Sequence, residues 1–188
     1  MDKKNGYRDS FVKRIVFAGL IVLCLPVQAS DPVDFVRLVE NRAGAAPVLD
    51  LSDVDDQERD ISDFRGRVTL VHFWATWCSP CLKELPDLKS FSEKFSNSDV
   101  HVVAVAVDSH ELVREFVANR NMGIDIVVDQ YGSAMRDYKV TALPSSYIID
   151  KNGELQFLAV GPVDWLSDET SRLIENLVGT AEENHEKI

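Results

Sequence analysis

"VHFWATWCSPCLKELPDL", residues 71–88, is the stretch on which the reading of this chain turns. An apolar, β-branched run leads into two cysteines, Cys78 and Cys81, and leucines follow at helical spacing. The run "RVTLVHFW" (67–74) predicts a strand buried on both faces. Ser79 and Pro80 open a helix that runs to about Phe95, with Leu82, Leu85, Leu88 and Phe91 or Phe95 along one face. Pro86 lies inside that helix, removes one backbone donor and predicts a bend. The cysteine pair therefore falls where a buried strand hands over to a helix N-terminus.

Three chemistries compete for such a pair. Structural zinc wants four ligands, and His72, His101, His110 and His185 show no HxxxH spacing to supply the other two. A structural staple across so short a loop constrains the unfolded chain very little. A redox couple has a mechanism. Unpaired N–H groups and the helix dipole at the N-terminus favour a thiolate at Cys78, taking its pKa below the free value of about 8.5. Cys81, one turn further in, then attacks the mixed disulfide and releases the partner. The redox reading is preferred.

Outward from this stretch, strands and helices alternate. "VHVVAVAVD" (100–108) reads as a second buried strand. "SHELVREFVANRN" (109–121) reads as a helix capped by Ser109, with Leu112, Val113, Phe116 and Val117 facing inward. "IDIVVD" (124–129) is a third strand and "SAMRDYKV" (133–140) a short helix. "SSYIID" (145–150), the turn "KNG" and "ELQFLAV" (154–160) make an antiparallel hairpin, and a last helix runs from near Ser167 to Val178. Upstream, "VLDLSDVDDQERDISDF" (48–64) predicts a hairpin of exposed strands turning at "DDQE". "DPVDFVRLVENR" (31–42) has helical spacing, with Asp31 as N-cap and Pro32 in the first turn. The pattern specifies an α/β domain with a mixed sheet.

The chain has 188 residues, 45% hydrophobic and 27% charged, enough for one domain with a real core. Its formal net charge of −11 argues against nucleic acid or anionic lipid as partners. The N-terminus differs from the rest. Lys3, Lys4, Arg8, Lys13 and Arg14 precede the apolar run "IVFAGLIVLCLPV" (15–27) and then "QAS", the layout of a secretory signal cut after Ala29. An uncleaved anchor is the rival reading, although the run of 13 residues is short of the roughly 20 that span a bilayer. Cleavage removes Cys24 and leaves Cys78 and Cys81 as the cysteines of the exported protein. The resulting division is 1–29 signal peptide, 30–46 N-terminal helix and linker, 47–180 globular domain and 181–188 a polar, frayed tail.

"TALPSS" (141–146) joins the short helix to the last hairpin and would approach the cysteines in such a fold. A cis bond before Pro144 would present the preceding backbone to a partner strand, while a trans loop proline is the commoner case. The residues alone leave both open.

"FRGRVTLVHFWATWCSPCLKELPDL" (64–88), "VVAVAVD" (102–108), "VVDQYGSAMRDYKV" (127–140) and "LPSSYIIDKNG" (143–153) with Gly161 together resemble the thioredoxin superfamily. Within it the chain is similar to the TlpA/ResA-like thiol-disulfide oxidoreductases, over residues 47–178. The resemblance implies a thioredoxin-like three-layer fold, a central mixed sheet flanked by helices, with an N-terminal β-hairpin. It implies a Cys78–Cys81 disulfide in the oxidised form, a cis peptide before Pro144, and substrate contacts at Trp77, Ser79, Pro80, Leu143 and Pro144. No cofactor is implied, because the dithiol carries the electrons. Protein thiols and disulfides are the implied partners, with electrons from a membrane donor and reduction of targets such as the haem-binding cysteines of apocytochrome c.

Two positions carry a double reading. Glu84 matches an acidic residue that tunes cysteine protonation in ResA-like members; from the residues alone it is a solvated side chain in the helix's second turn. His72 stands where thioredoxin carries a buried Asp that relays a proton to the resolving cysteine. It is either a base or a satisfied core histidine. Trp77 reads as an exposed apolar rim beside the nucleophile and Trp74 as core. The peroxiredoxin pattern Pro-x-x-x-Thr-x-x-Cys is missing, since Val71 and Ala75 occupy its Pro and Thr positions. Alternatives to a reductant are an oxidant, or a binding module that docks extended segments beside Pro144 with the cysteines incidental.

Overall fold

The computed structural model describes residues 36–37, 44–59 and 65–179. Among these, nine strands form one sheet: β1 (Val36–Arg37), β2 (Gly44–Ala45), β3 (Leu51–Asp53), β4 (Glu58–Arg59), β5 (Val68–Trp74), β6 (Val100–Ala106), β7 (Asp125–Val128), β8 (Ser145–Ile149) and β9 (Glu154–Val160). Four helices accompany them: α1 (Ser79–Lys94), α2 (His110–Ala118), α3 (Ser133–Asp137) and α4 (Asp168–Gly179). The sheet order is β1-β9-β8-β5-β6-β7-β3-β4, with β2 also paired to β9. Strands β5, β6 and β7 run parallel, β8 and β3 run against them, and β9, antiparallel to β8, runs with them again, so the sheet is mixed as expected.

The alternation of β5 organises the layers. Val68, Leu70 and Trp74 face the core shared with α1, α2 and α4, while Val71 and Phe73 face the core shared with α3, Tyr138 and Tyr147. Successive strand residues point to opposite faces, which is why a strand covered on both sides reads as an unbroken apolar run. The same parity places His72 on the α1 face, between Leu70 and Trp74. That one-residue register decides the chemistry described below.

Helix α1 buries Cys81, Glu84, Leu85, Leu88 and Phe91, a stripe of three- and four-residue steps. Cys78 is its N-cap and Pro80 sits in the first turn, where a missing N–H costs no helical bond. Pro86 lies inside the helix, and Ser90 Oγ donates to the Pro86 carbonyl at 3.1 Å. In α2, Ser109 Oγ accepts the Leu112 N–H, the expected cap.

Three expectations need correction or delimiting. Helical spacing predicts a helix over 31–42, but Val36–Arg37 pair antiparallel with Leu158 and Phe157 of β9; Gly44–Ala45, assigned to the linker, pair with the same strand. An edge offering unpaired backbone groups overrides local spacing. The rest of 31–42, the signal segment 1–29 and the tail 181–188 lie outside the described residues. Leu112, read as inward, is 49% exposed, because α2 packs through Val113 with Phe116 and Val117 beside it. Glu84, read as solvated from the residues alone, is buried.

Candidate active site

The parallel strands β5, β6 and β7 end at one edge of the sheet, and that edge carries the cysteines. Cys78 and Cys81 form a disulfide with Cα atoms 5.3 Å apart. Cys78 has extended backbone (φ −83°, ψ 94°), and its Sγ accepts the Cys81 N–H at 3.3 Å. This is a cap made by sulfur. It occupies the place where the first-turn donors and the positive end of the helix dipole would stabilise a thiolate. Cys78 is 4% exposed and Cys81 fully buried, so Cys78 is the more accessible sulfur.

The loop before the disulfide is tied from behind. Thr76 Oγ1 donates to Asp108 Oδ2 at 2.5 Å and the Thr76 N–H points to the same oxygen at 3.4 Å, joining the end of β5 to the end of β6. Trp77 projects outward, 70% exposed, and Trp74 is core. Ser79 and Pro80 are exposed beside the sulfurs.

The peptide between Leu143 and Pro144 is cis. Pro144 immediately precedes β8, whose Ser145 pairs with Phe73 of β5, so the cis bond lies at the same edge as the disulfide. The Pro144 carbonyl accepts the Gly161 N–H at 2.9 Å, and half-buried Leu143 packs against both cores.

Beneath this edge lies a polar group that the apolar core encloses. His72 Nδ1 is 2.9 Å from Ser146 Oγ, its register partner on β8. His72 Nε2 is 3.3 Å from Glu84 Oε1 on α1. Glu84 Oε2 accepts the Val163 N–H at 3.1 Å, and Trp165 packs edge-on against the imidazole with ring centroids 5.8 Å apart. Burial pushes the Glu84 carboxyl up to about 7; the Val163 N–H and the Trp165 indole pull it back, and the Asp87 charge adds to the rise. Burial alone holds the imidazole neutral, its pKa down to about 3. Glu84 sits three residues after Cys81 on the same buried helix face. Ser146, Val163 and Trp165 escaped the sequence reading. An isolated Trp in the loop "GPVDWLSDE" (161–169) was the available sign of a buried anchor.

Fold and site together define a thioredoxin-like protein that carries a CxxC disulfide at the N-terminus of its first long helix. The chain belongs to the AhpC/TSA family, whose model matches residues 43–158, and within the thioredoxin superfamily to the ResA-like thiol-disulfide oxidoreductases. It is 32% identical over 154 residues to the thiol-disulfide oxidoreductase ResA of Geobacillus thermodenitrificans, covering 79% of this chain and 88% of the relative. It is 31% identical over 111 residues to ResA of Bacillus thuringiensis, covering 58% of this chain and 64% of the relative, so that match spans less than two thirds of the relative's length. Among solved structures it is similar to a Chlorobium tepidum protein assigned as thiol:disulfide interchange protein DsbE, with TM-score 0.68, 27% identity, and coverage of 73% of this chain and 98% of the other.

Proposed function

We propose that this chain is an extracytoplasmic dithiol–disulfide oxidoreductase that exchanges electrons with protein cysteines through Cys78 and Cys81, acting as a reductant. The observation that carries the reading is the sulfur-capped helix: one cysteine at the N-cap, its partner one turn deeper, and a cis-proline at the same edge of the sheet. In the reducing direction, Cys78 thiolate attacks a substrate disulfide and forms the mixed disulfide. Cys81 then attacks Cys78 Sγ, closes the Cys78–Cys81 bond and releases the second substrate sulfur as a thiolate. The pair of sulfurs carries the two electrons.

The surroundings favour a protein substrate. Trp77 follows the end of β5 and Tyr131 the end of β7; Val160 ends β9 opposite Ser145; Val48 precedes β3 at the same edge. All four are exposed large apolar residues, so the rim around the disulfide offers apolar contact area. Leu143 and Pro144 supply the extended backbone that docks a substrate segment, with Ser79, Pro80 and Trp77 flanking it.

The signal-like segment 1–29 supports export, whether cleaved after Ala29 or retained as an anchor. Among the described residues no helix is long and apolar enough to cross a membrane. A reductant in an oxidising compartment needs an electron supply, hence a membrane donor, and cysteines awaiting haem attachment are the substrate class in view. The test is the midpoint potential of residues 30–188 in glutathione buffers, followed by tryptophan fluorescence. A value near or below roughly −270 mV is expected of a reductant, and one near roughly −120 mV would make the protein an oxidant.

A further inference from the structure

The resolving step needs somewhere to put a proton. Cys81 is fully buried, so its thiol cannot pass that proton directly to water. Glu84, one turn along the same buried helix face, is the carboxyl nearest in sequence on that face. A buried carboxylate is costly unless hydrogen-bond donors surround it. Those facing Glu84 are the Val163 N–H and the Trp165 indole from the segment after β9. His72 Nε2 on β5 lies 3.3 Å from Glu84 Oε1 off the line of a hydrogen bond, and among the described residues neither of these two atoms has another hydrogen-bond partner. Asp87, on α1 itself, acts against ionisation. The fourth element, β8, reaches Glu84 only through Ser146 and His72. On β5's other flank, β6 offers only the methyl group of Ala104 opposite His72.

The imidazole can serve in one orientation only. It is wholly buried and neutral, so it carries a single N–H. If Ser146 Oγ–H donates to Nδ1, the proton must sit on Nε2, the ring atom 3.3 Å from Glu84 Oε1. A carboxylate can only accept, and in this tautomer a small turn of either side chain gives the unpartnered Oε1 a donor without placing a cation in the core.

We infer that His72 is a positioning residue for disulfide exchange: pinned by Ser146 at Nδ1, it presents Nε2–H to Glu84 and makes that carboxylate the proton acceptor of Cys81. The inference rests on the redox reading above. The Cys81 thiol passes its proton to the Glu84 carboxylate, and the Cys81 thiolate attacks Cys78 Sγ of the mixed disulfide. The Cys78–Cys81 bond forms, the bond to the substrate sulfur breaks, and the departing thiolate takes up a proton from Glu84 or water. The electron pair leaves with the substrate sulfur, and no other oxidant or reductant enters.

One equivalent of dithiobis(nitrobenzoate) added to the reduced protein separates the two steps. Attack by Cys78 releases a first coloured thiolate, and resolution by Cys81 releases a second. His72→Leu removes the donor; the expected result is a second burst slowed by at least about tenfold at pH 7, its pH profile displaced upward, with the first burst changed less than about twofold. His72→Asn keeps an amide N–H that can reach Glu84 and is expected to recover most of the rate. Ser146→Ala, which frees the tautomer with little change in volume, is expected to slow the second burst by a smaller factor and serves if His72→Leu does not fold. An unchanged pH profile of the second burst in His72→Leu, or in Ser146→Ala should the first not fold, overturns the inference. Absence of both bursts in the unsubstituted protein overturns the redox reading instead.

Discussion

The backbone N–H of Cys81 points at Cys78 Sγ across 3.3 Å, so the helix that carries the second cysteine is capped by the first. On reduction, a sulfur held there meets first-turn donors and the positive end of α1, both of which favour the thiolate.

Cys78 reactivity follows from that cap. In a Cys81→Ser variant, the remaining thiol is expected to react with iodoacetamide at pH 7 at least about tenfold faster than glutathione, reflecting a pKa well below about 8.5. Stopped alkylation followed by mass spectrometry gives the rate. A rate equal to that of the free thiol would mean that the cysteines are incidental and that the binding-module alternative is correct.

The Glu84 carboxyl makes folding stability depend on pH with a definite sign. Its pKa stands at about 7 in the fold against 4.5 for the ordinary group, so between these values the folded protein holds a proton that the unfolded chain has lost. Stability contributed by this group therefore falls as pH rises through that window. His72 acts in the opposite sense between about 3 and 6.5, but it is present in both proteins when wild type is compared with Glu84→Gln. The variant is expected to gain on wild type from pH 4.5 to 7.5, by up to about 3 kcal/mol. Urea midpoints of the oxidised proteins at pH 4.5, 6 and 7.5 measure the difference; a constant difference across the three contradicts the assignment.

Trp77 should matter for protein substrates and little for folding. At 70% exposure its replacement by Ala is expected to change stability by no more than about 0.5 kcal/mol. Reduction of insulin disulfides is expected to slow severalfold, while the reaction with dithiobis(nitrobenzoate), too small to use the rim, keeps its rate. Equal slowing of both reactions would place Trp77 in the chemistry instead of the docking surface.

Much of the fold is written locally. The runs at β5 and β6 are legible because strands covered on both faces leave no polar position, and the turn at 54–57 because Asp53 accepts the N–H groups of Asp55 and Gln57. The cysteine pair and Trp77 are legible in their placement, which follows from standing at a helix start. Val36–Arg37 failed because their pairing partners on β9 lie some 120 residues away in the chain, beyond the reach of spacing arguments. His72 and Glu84 were each visible, but neither could be assigned alone. What makes them a pair is the parity of β5 against the stripe of α1, with Ser146 supplied by a strand 74 residues on. Burial turned a residue that read as solvated into the most strongly raised carboxyl among the described residues.

Trapping the mixed disulfide tests the assignment of the two sulfurs most directly. Reduced Cys81→Ala and Cys78→Ala proteins, each mixed with an unfolded disulfide-bonded protein and quenched in acid, are resolved on non-reducing gels. Cys81→Ala is expected to accumulate a covalent complex through Cys78 that dithiothreitol dissolves, and Cys78→Ala is expected to form none. A complex that accumulates only in Cys78→Ala, or in neither, contradicts exchange by attack of Cys78 and resolution by Cys81.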